Sequence, residues 1–309
     1  MIPSPLNYTG GKYRLLPQIT PLFPKDVSTF VDLFCGGCNV GINADSRRVI
    51  YNDINRDLLS IYGAFKTLGR ECLLDSIYGI IERYGLSLTS RYGYSHYGCD
   101  SGSGLAGYNR DKYLKLRADF NERRLKGGSD ICQHIMLYVL IVYAFNNQIR
   151  FNSDGRFNLP VGKRDFNSRM ERKLLDFTDR LKAQDCLFTC RDFREFDTSP
   201  LTPRDLVYAD PPYLITCATY NEKGGWGESA ERDLLAFLDG LHSRHIRFAL
   251  SNVLRSKGKE NHILIRWLES RAGIYTAVPL NRSYSNSNYQ TKDKTSASEE
   301  VLIINYPLG

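Results

Sequence analysis

The chain lacks several features that would assign it to common classes of protein. No apolar run in its 309 residues is long enough to cross a bilayer, and the opening Met1-Ile2-Pro3-Ser4 does not begin a signal peptide. It has no internal repeat and no long low-complexity tract. These absences predict a soluble, cytoplasmic protein with no membrane partner.

Histidine is also scarce, and the cysteines do not form a convincing metal motif. The five histidines show no spacing that pairs them with carboxylates in a metal or triad set. Of the eight cysteines, Cys35 and Cys38 lie in a glycine turn, whereas Cys186 and Cys190 share one face of a predicted strand. We therefore expect no metal site, and a chain of this size needs no disulfides.

The composition is that of a folded protein with a basic surface. Hydrophobic residues make up 42% and aromatic residues 12%, which is enough for one large or two small domains with a substantial core. The formal charge of +7 is compatible with a polyanionic partner without demonstrating one.

Short apolar runs alternate with amphipathic segments over much of the chain. The predicted strands are Phe30–Phe34, Arg47–Tyr51, Cys186–Cys190, Leu206–Ala209, Ile246–Leu250, Tyr275–Leu280 and Val301–Tyr306. The predicted helices among them are Arg56–Leu68, Ala230–His242 and Glu260–Ser270, with a helix start at Asn39–Asp45. This alternation predicts an α/β fold of the Rossmann-like type, a mostly parallel sheet with helices on both faces.

The middle of the chain breaks the alternation. Tyr84–Arg110 is rich in Gly, Ser and Tyr and predicts a mobile loop, followed by helices at Asp111–Arg124 and Asp130–Phe145. Gln148–Val161 then has the pattern of a β-hairpin that turns at Ser153-Asp154-Gly155. We predict an inserted helical domain at residues 61–182, with residues 1–60 and 183–309 forming the α/β domain.

The most informative motif is Asp210-Pro211-Pro212-Tyr213, directly after the predicted buried strand Leu206–Ala209. Two prolines end the strand, so an acidic and an aromatic side chain stand at the carboxyl end of a core strand, where open α/β sheets bind ligands. A carboxylate beside a flat ring suits the exocyclic amine of a planar heterocycle, such as a nucleobase extruded from a duplex. The alternative is that Asp210 merely caps the turn.

Two further strand ends suggest a nucleoside-containing cofactor. Phe30–Phe34 leads into Cys35-Gly36-Gly37, a turn whose backbone a ligand can approach closely, although its spacing is not that of the dinucleotide fingerprint. Asp53 follows the next strand, where a carboxylate can accept hydrogen bonds from ribose hydroxyls. The alternative role of this region is to cap the helix that begins near Asn55.

The order of these motifs resembles one family of enzymes. Asn7-Tyr8-Thr9-Gly10-Gly11-Lys12, Asp32–Gly37, Asn52–Asn55, an insertion and Asp210–Tyr213 together resemble the Dam-type (D12 class) DNA adenine-N6 methyltransferases, especially those of T-even phages. The likeness covers nearly the whole chain.

The resemblance implies S-adenosylmethionine as the methyl donor. The positions that it assigns to donor binding are Tyr8, Gly10, Gly11, Lys12, Asp32, Phe34, Gly36, Gly37, Asp53, Ile54, Asp192, Phe193 and Asp210. Cys38 is a departure, because many relatives carry another glycine there.

The resemblance also implies catalytic roles for Asp210, Pro211, Pro212 and Tyr213. A flipped adenine would stack on Tyr213, while the Asp210 carboxylate and the Pro211 carbonyl accept hydrogen bonds from its N6 amine. Methyl transfer would then be direct, without a covalent enzyme intermediate.

The inserted domain would read double-stranded DNA, with GATC as the implied site. The residues assigned to DNA contact are Phe145, Asn146, Gln148, Arg150, Asn152, Pro160, Lys163 and Arg164. Among them Phe145 would wedge into the duplex, Arg164 would read a guanine, and Arg150 and Lys163 would contact phosphates. Gln148 departs from the apolar residue of relatives. The resemblance further predicts a monomer and a cognate restriction endonuclease as a partner.

Two alternatives remain open at the level of sequence. The first is an amino methyltransferase that acts on another amine, such as cytosine N4 or a glutamine amide, although an aspartate at position 210 favours adenine by resemblance. The second is a DNA-binding regulator that keeps the fold but has no catalytic turnover. The presence of the predicted site residues argues against it: Lys12, Asp53, Asp210 and Tyr213.

Overall fold

The computed structural model describes residues 1–8, 10–215, 225–281 and 298–308, and the chain divides into two compact units. The insert unit comprises Met1–Gly11 and Asn55–Gln184, and the sheet unit comprises Lys12–Ile54 and Asp185–Gly309. The sequence predicted domain boundaries at residues 60/61 and 182/183, whereas the corresponding boundaries between the two units fall at residues 54/55 and 184/185. Residues 1–11 group with the insert unit rather than with the sheet.

Within the residues that the structure describes, the sheet unit is built on one eight-stranded sheet. Its strands are β1 (Thr29–Asp32), β2 (Arg48–Asn52), β3 (Cys186–Thr189), β4 (Leu206–Ala209), β5 (Arg247–Ser256), β6 (Lys259–Glu260), β7 (Thr276–Leu280) and β8 (Glu299–Ile304). The order is β3-β2-β1-β4-β5-β8-β7, with β6 paired to β5. The five neighbouring strands β3, β2, β1, β4 and β5 run parallel to one another. Strand β8 pairs antiparallel with both β5 and β7. The prediction of a mostly parallel α/β fold is confirmed.

The described helices cover both units. They are α1 (Leu16–Ile19), α2 (Arg56–Leu68), α3 (Arg70–Tyr84), α4 (Thr89–Tyr92), α5 (Ala106–Leu125), α6 (Ile131–Tyr143), α7 (Ser168–Ala183), α8 (Glu228–Ser243) and α9 (His262–Glu269). Helices α2 to α7 lie in the insert unit, and α1, α8 and α9 lie in the sheet unit.

The central strands of the sheet are apolar on both faces, as expected for parallel strands that are covered on both sides. On one face Val31 and Val207 join a buried cluster with the leucines of α8 and α9. On the other face the ring of Phe23 packs against Phe30 and Tyr208, with centroids 5.4 and 5.8 Å apart. The core therefore holds β1 and β4 rigidly between two apolar layers.

The strand order reverses between β1 and β4. From β1 the chain continues to β2 and β3 on one side, whereas β4 and β5 lie on the other side. Crevices at such switch points, at the carboxyl ends of the strands, are where open α/β sheets bind ligands. Asp32 ends β1 and Asp210 follows β4, so two predicted site residues flank this point.

Several sequence predictions for the insert unit were wrong in extent. Helices α3 and α7 were not predicted, although Gly85 in the left-handed conformation ends α3 and the Asn167 side chain caps α7. The predicted loop Tyr84–Arg110 instead contains α4 and the first turn of α5. Leu86, Leu88 and Leu105 of this segment are buried, so it is a packed part of the unit rather than a mobile loop.

Two smaller predictions also need correction. The predicted helix start at Asn39–Asp45 is a single 3₁₀ turn, Gly41–Asn43. The predicted hairpin turns where expected, but it is held by isolated bridges, Phe151 to Phe157 and Ala144 to Val161, instead of regular strands. Backbone hydrogen bonds still cross it, such as that from the Asn152 N–H to the Arg156 carbonyl at 2.9 Å, and α5 adds to them, since Arg117 donates to the Leu159 carbonyl at 2.8 Å.

Candidate active site

Asp210 and Lys12 form the centre of the candidate site. Asp210 is the first residue after β4, and Pro211 and Pro212 prevent the strand from continuing. The Lys12 ammonium lies 2.6 Å from Asp210 Oδ1, and the two side chains are 2% and 19% exposed. A buried cation thus supports a carboxylate that still reaches solvent, as an acceptor for an incoming ligand requires.

Tyr213 and Glu300 complete this cluster. The Tyr213 hydroxyl, with its single proton to donate, lies 3.1 Å from Asp210 Oδ1 and 3.0 Å from Glu300 Oε1, and Lys12 Nζ lies 4.8 Å from the centre of the Tyr213 ring. We call Lys12, Asp210, Tyr213 and Glu300 the acidic cluster. The sequence analysis missed Glu300, although two consecutive acids before the apolar strand β8 mean that one of them faces the same side as the core residues.

Burial raises the pKa of Asp210 above its ordinary value, and the Lys12 ammonium opposes this rise. The neighbouring carboxylate of Glu300 adds to the rise. The pKa of Tyr213 is also well above its usual value, chiefly because the phenol is buried. Tyr213 is therefore a neutral hydrogen-bond donor, and Lys12 is the group that favours the ionised form of Asp210.

The glycine turn after β1 is held by the two other predicted carboxylates. Asp53 Oδ2 accepts from the backbone N–H of Gly36 at 2.9 Å, and Asp32 Oδ2 accepts from the N–H of Gly41 at 2.9 Å. A Cβ on Gly41 would come within 2.5 Å of Tyr51 Cε1, so this position needs glycine. The turn is thus fixed at both ends, and Gly41 is a site residue that the sequence analysis missed.

Asp32 titrates in an unusual range. Its pKa is raised to about 7, chiefly by burial; the Asp210 and Asp53 carboxylates contribute to the rise, and the hydrogen bond from the Gly41 N–H opposes it. The carboxyl ends of β1, β2 and β4 therefore bring three acidic side chains within electrostatic reach of one another.

An aromatic cluster lies beside the same turn. The rings of Phe34, Phe193 and Trp226 pack on one another with centroids 5.5 to 5.6 Å apart. Trp226 donates its indole N–H to the buried carboxylate of Glu231 at 2.6 Å. Such a cluster offers flat apolar surface for a purine ring, and Trp226 was not among the predicted residues.

Other predicted donor residues are distributed as follows. Gly37 is buried in the turn, whereas Ile54 is 72% exposed. Asp192 accepts from Arg194, whose guanidinium lies 3.0 Å from Asp192 Oδ2. Tyr8, Gly10 and Gly11 belong to the insert unit, where the Gly11 N–H donates to the Tyr8 carbonyl. Their contact with the donor remains a prediction.

In the insert unit, Phe145 stands at a strained turn directly after α6. Its side chain is 52% exposed, and the next two residues, Asn146 and Asn147, have φ of 56° and 52°. Left-handed backbone is costly for residues other than glycine and often marks functional sites. Asn147 stabilises the turn by donating to the carbonyls of Ile141 and Val142, at the end of α6.

The remaining predicted DNA-binding residues lie on or next to the hairpin. Arg150, Pro160, Lys163 and Arg164 are exposed, and Gln148 is half-buried. Asn152 has a structural role, since its side chain oxygen accepts from two backbone N–H groups of the turn. The Arg150 guanidinium donates to Asn158 Oδ1 across the hairpin at 2.8 Å.

A buried polar network anchors the chain segments that carry Phe145 and Arg164. Ser87 Oγ donates to Asp165 Oδ2, and the backbone carbonyl of Ser87 accepts from the Tyr143 hydroxyl at 2.6 Å. Asn109 binds both the N–H and the hydroxyl of Ser87 at 2.8 Å. We call Ser87, Asn109, Tyr143 and Asp165 the Ser87 network. It explains why the Tyr84–Arg110 segment is ordered.

Two other kinds of feature are absent from the described ranges. They contain no group of three or more His, Cys, Asp or Glu side chains that could hold a metal ion. Within the same ranges, no helix combines the length and apolar character needed to cross a bilayer.

Comparison with known proteins assigns the chain to a family. Residues 8–279 match the model of the D12 class N6 adenine-specific DNA methyltransferases, and the chain belongs to this family. It is 41% identical over 311 residues to the modification methylase StsI of Streptococcus sanguinis. It is 39% identical over 311 residues to the type II methyltransferase M.FokI of Planomicrobium okeanokoites.

These alignments differ in how much of each relative they cover. The matches to StsI and M.FokI use 99% of this chain but only 43% of either relative. The DNA adenine methylase of Escherichia coli K12 is 27% identical over 306 residues, with 98% of this chain and 95% of the relative aligned. The chain thus spans less than half the length of the first two proteins.

Proposed function

We propose that the chain transfers the methyl group of S-adenosylmethionine to N6 of an adenine in double-stranded DNA. The observation that carries this proposal is the acidic cluster: a partly exposed Asp210 carboxylate at the switch point, with Lys12 Nζ 2.6 Å away and Tyr213 beside it. Membership of the D12 class adds the reaction type.

The residues around the glycine turn fit the proposed donor. The turn is close-packed backbone, with Gly36 at a φ of 44° and no room for a side chain on Gly41. The half-buried Phe34, packed on the buried rings of Phe193 and Trp226, supplies apolar ring surface for an adenine. Asp53 follows β2, where a carboxylate that binds ribose hydroxyls is expected. When bound, the donor supplies an electrophilic methyl group.

The residues of the acidic cluster then act on the target base. Asp210 Oδ and the Pro211 carbonyl accept hydrogen bonds from the N6 amine and orient its lone pair. The carboxylate also stabilises the positive charge that develops on nitrogen during transfer. Lys12 favours the ionised form of Asp210. Because Lys12 lies over one face of the Tyr213 ring, a flipped base would stack on the opposite face.

The product of the reaction tests this function. Purified protein is incubated with tritiated S-adenosylmethionine and a duplex of mixed sequence, and the methylated nucleosides are separated. We expect label in N6-methyladenine. Label in N4-methylcytosine would move the enzyme to the other amine class, and donor binding without transfer would favour the silent regulator.

We further propose that the insert unit binds the DNA. Arg150, Lys163 and Arg164 are exposed cations near the half-exposed Phe145, an arrangement suited to phosphate contacts around an intercalating wedge. Within this proposal Asn146 faces the base left unpaired, while Pro160 and Arg164 contact base edges. The relatives named as modification enzymes support a restriction endonuclease as a companion protein.

The wedge role of Phe145 has a direct spectroscopic test. A duplex with 2-aminopurine at the target adenine becomes fluorescent when the base leaves the stack. Phe145→Ala should lower this increase by at least about 5-fold, because unstacking costs a few kcal/mol that the wedge offsets. Leu125→Ala, at a residue 53% exposed on the same unit, is the matched control. Equal signals from both variants would refute the wedge.

The sequence context of the methylated adenine is a separate part of the proposal. GATC follows from the likeness to the DNA adenine methylase, to which the chain is 27% identical. Identity to StsI is 41%, so sites other than GATC must be tested on the same footing. Mapping N6-methyladenine in a methylated plasmid gives the answer: modification confined to GATC supports this site, and another consensus replaces it.

A further inference from the structure

Glu300 is a buried acid that no motif of the sequence singles out. It is the second residue of β8, its side chain is 2% exposed, and its neighbour Glu299 is 45% exposed. Glu299 pairs with Arg255 at 2.8 Å on the outer side. Two adjacent glutamates on one strand therefore occupy opposite environments, which makes Glu299 a natural control for Glu300.

Glu300 contacts the two residues that contact Asp210. Its Oε1 lies 3.5 Å from Lys12 Nζ and accepts from the Tyr213 hydroxyl at 3.0 Å. Lys12 and Tyr213 are in turn 2.6 and 3.1 Å from Asp210 Oδ1. The ammonium and the phenol are thus each shared between the two carboxylates.

The Lys12 ammonium faces both carboxylates of the acidic cluster, those of Asp210 and Glu300. Among the described residues, the phenols of Tyr208 and Tyr213 and the carboxyl of Asp32 are also within electrostatic reach of Asp210. A buried carboxylate is costly to stability unless its hydrogen bonds are well made. Two of the contacts of Glu300 are to the same side chains that contact Asp210, which suggests a role in the reaction.

We infer that Glu300 is a positioning residue for methyl transfer, which holds Lys12 and Tyr213 against Asp210 so that the carboxylate faces the incoming amine. This inference rests on the proposed function. Glu300 acts through Lys12 and Tyr213 and contacts neither substrate. By its negative charge it also sets the pH at which Asp210 ionises, in opposition to Lys12.

The test compares Glu300→Gln with Glu299→Gln in single-turnover methylation as a function of pH. Glutamine keeps the size of the side chain but removes the charge that holds the Lys12 ammonium. We expect the plateau rate of Glu300→Gln to fall about 10-fold or more, since hydrogen bonds to charged groups are the stronger ones. Affinities for the donor and for DNA should change less than about 3-fold.

The pH profile separates positioning from a merely structural role. Glu300 raises the pKa of Asp210, so removing its charge lowers that pKa. Because activity requires ionised Asp210, the acid limb of the rate profile should move to lower pH in Glu300→Gln and stay in place in Glu299→Gln. An unchanged limb with a lowered melting temperature would overturn the inference.

A second variant covers the case in which Glu300→Gln does not fold. Glu300→Asp keeps the charge but shortens the reach to Tyr213, so it should lose rate while retaining the wild-type acid limb. Failure of the proposed function can be told apart from failure of the inference about Glu300. Wild-type protein that makes no N6-methyladenine refutes the proposed function. Active wild type with an equally active Glu300→Gln refutes this inference alone.

Discussion

The acidic cluster of the sheet unit and the Ser87 network of the insert unit are both buried polar groups, but they are built differently. In the Ser87 network neutral donors surround a single carboxylate: Asp165 accepts from the Thr89 N–H at 2.5 Å and from the Thr89 hydroxyl at 2.8 Å. The Asn109 amide oxygen accepts from the Ser87 N–H, and its amide nitrogen donates to the Ser87 hydroxyl. Such a network fixes the conformation of the chain around it.

In the acidic cluster the interactions are charged and unequal. The carboxylates of Asp210 and Glu300 both lie near the Lys12 ammonium, and the Asp210 side chain remains 19% exposed. The Tyr213 hydroxyl is bound to the same oxygen of Asp210 that Lys12 contacts. Both contacts are made to Oδ1, so a target amine can bind Asp210 Oδ2 without displacing them.

The difference separates two tasks. A network of neutral donors around a carboxylate stabilises the loop segments next to the residues that we propose to contact DNA. A cluster of buried carboxylates is less favourable for folding, but it can stabilise a cation that develops in the transition state. Substitutions in the two regions should therefore have opposite signatures in activity and stability.

The largest effect is expected from Asp210→Ala. Loss of the acceptor should lower the single-turnover rate by at least about 10³-fold, the size of effect typical when preorganised electrostatic stabilisation is removed. The melting temperature should stay within a few degrees of wild type, because Glu300 still lies 3.5 Å from Lys12 Nζ. Rapid-quench methylation and thermal unfolding measure the two quantities.

The control for this variant is Asp26→Ala, which removes a carboxylate that is 68% exposed in the same unit and pairs with Arg247. It should retain full activity. Near-normal turnover by Asp210→Ala would contradict both the mechanism and the contrast between the two regions.

A smaller effect, of the opposite kind, is expected from Asn109→Ala. The change leaves the buried N–H of Ser87 without its partner, which should cost about 2–4 kcal/mol of stability in the insert unit. DNA affinity should weaken, whereas donor affinity should not change, because Asn109 lies in the other unit from the glycine turn. Urea unfolding and binding titrations measure these quantities.

Ser76→Ala is the matched control, since it removes an exposed hydroxyl of α3 that binds only a carbonyl of its own helix, at 2.7 Å. It should be within about 0.5 kcal/mol of wild type. If Asn109→Ala weakened donor binding as much as DNA binding, the Ser87 network would not be specific to the insert unit.

The same contrast explains what could be predicted from the sequence. Strands β1, β2 and β4 were predicted because short apolar runs followed by turn-forming residues (Gly, Pro, Asn or Asp) are local signals, and Asp210 and Asp53 follow directly from the strand ends. Glu300 and Gly41 were missed since their roles depend on a distant partner: Glu300 meets Lys12 across 288 positions, and Gly41 meets the Asp32 carboxylate.

In the insert unit the missing information was of another kind. The Tyr84–Arg110 segment has the composition of a loop, yet Ser87 and Leu88 are buried because Asn109, Tyr143 and Asp165 converge on them from three separate segments. Tertiary hydrogen bonds of this type override local propensity. Similarly, β5 extends to Ser256 because β8 pairs with it, although Ser251 and Asn252 looked like the end of a strand.

Asp32 combines features of the two regions and gives the smallest effect. Like Asp165 it accepts from backbone, through the Gly41 N–H, but like Glu300 it neighbours other carboxylates, those of Asp53 and Asp210. Its pKa is about 7 in the folded protein, against an ordinary value near 3.9. Between these values the folded state binds the extra proton, so the contribution of Asp32 to stability falls as pH rises and levels off above about pH 7.

Asp32→Asn should remove this dependence, since the amide oxygen can still accept from Gly41 and carries no charge. At pH 8 the variant should melt a few degrees above wild type, as ~1 kcal/mol corresponds to about 2–4 °C in a protein of this size. The difference should shrink as pH falls and should disappear below about pH 4, where Asp32 is protonated in both states. Asp26→Asn is the control: a hydrogen bond from Arg247 lowers the pKa of Asp26, so its removal should not stabilise the protein at pH 8. The opposite outcome is that wild type is equally stable at pH 5 and pH 8 and that Asp32→Asn does not alter this. Negative charge at the switch point would then cost no stability. The distinction between the two regions would rest on hydrogen bonding alone.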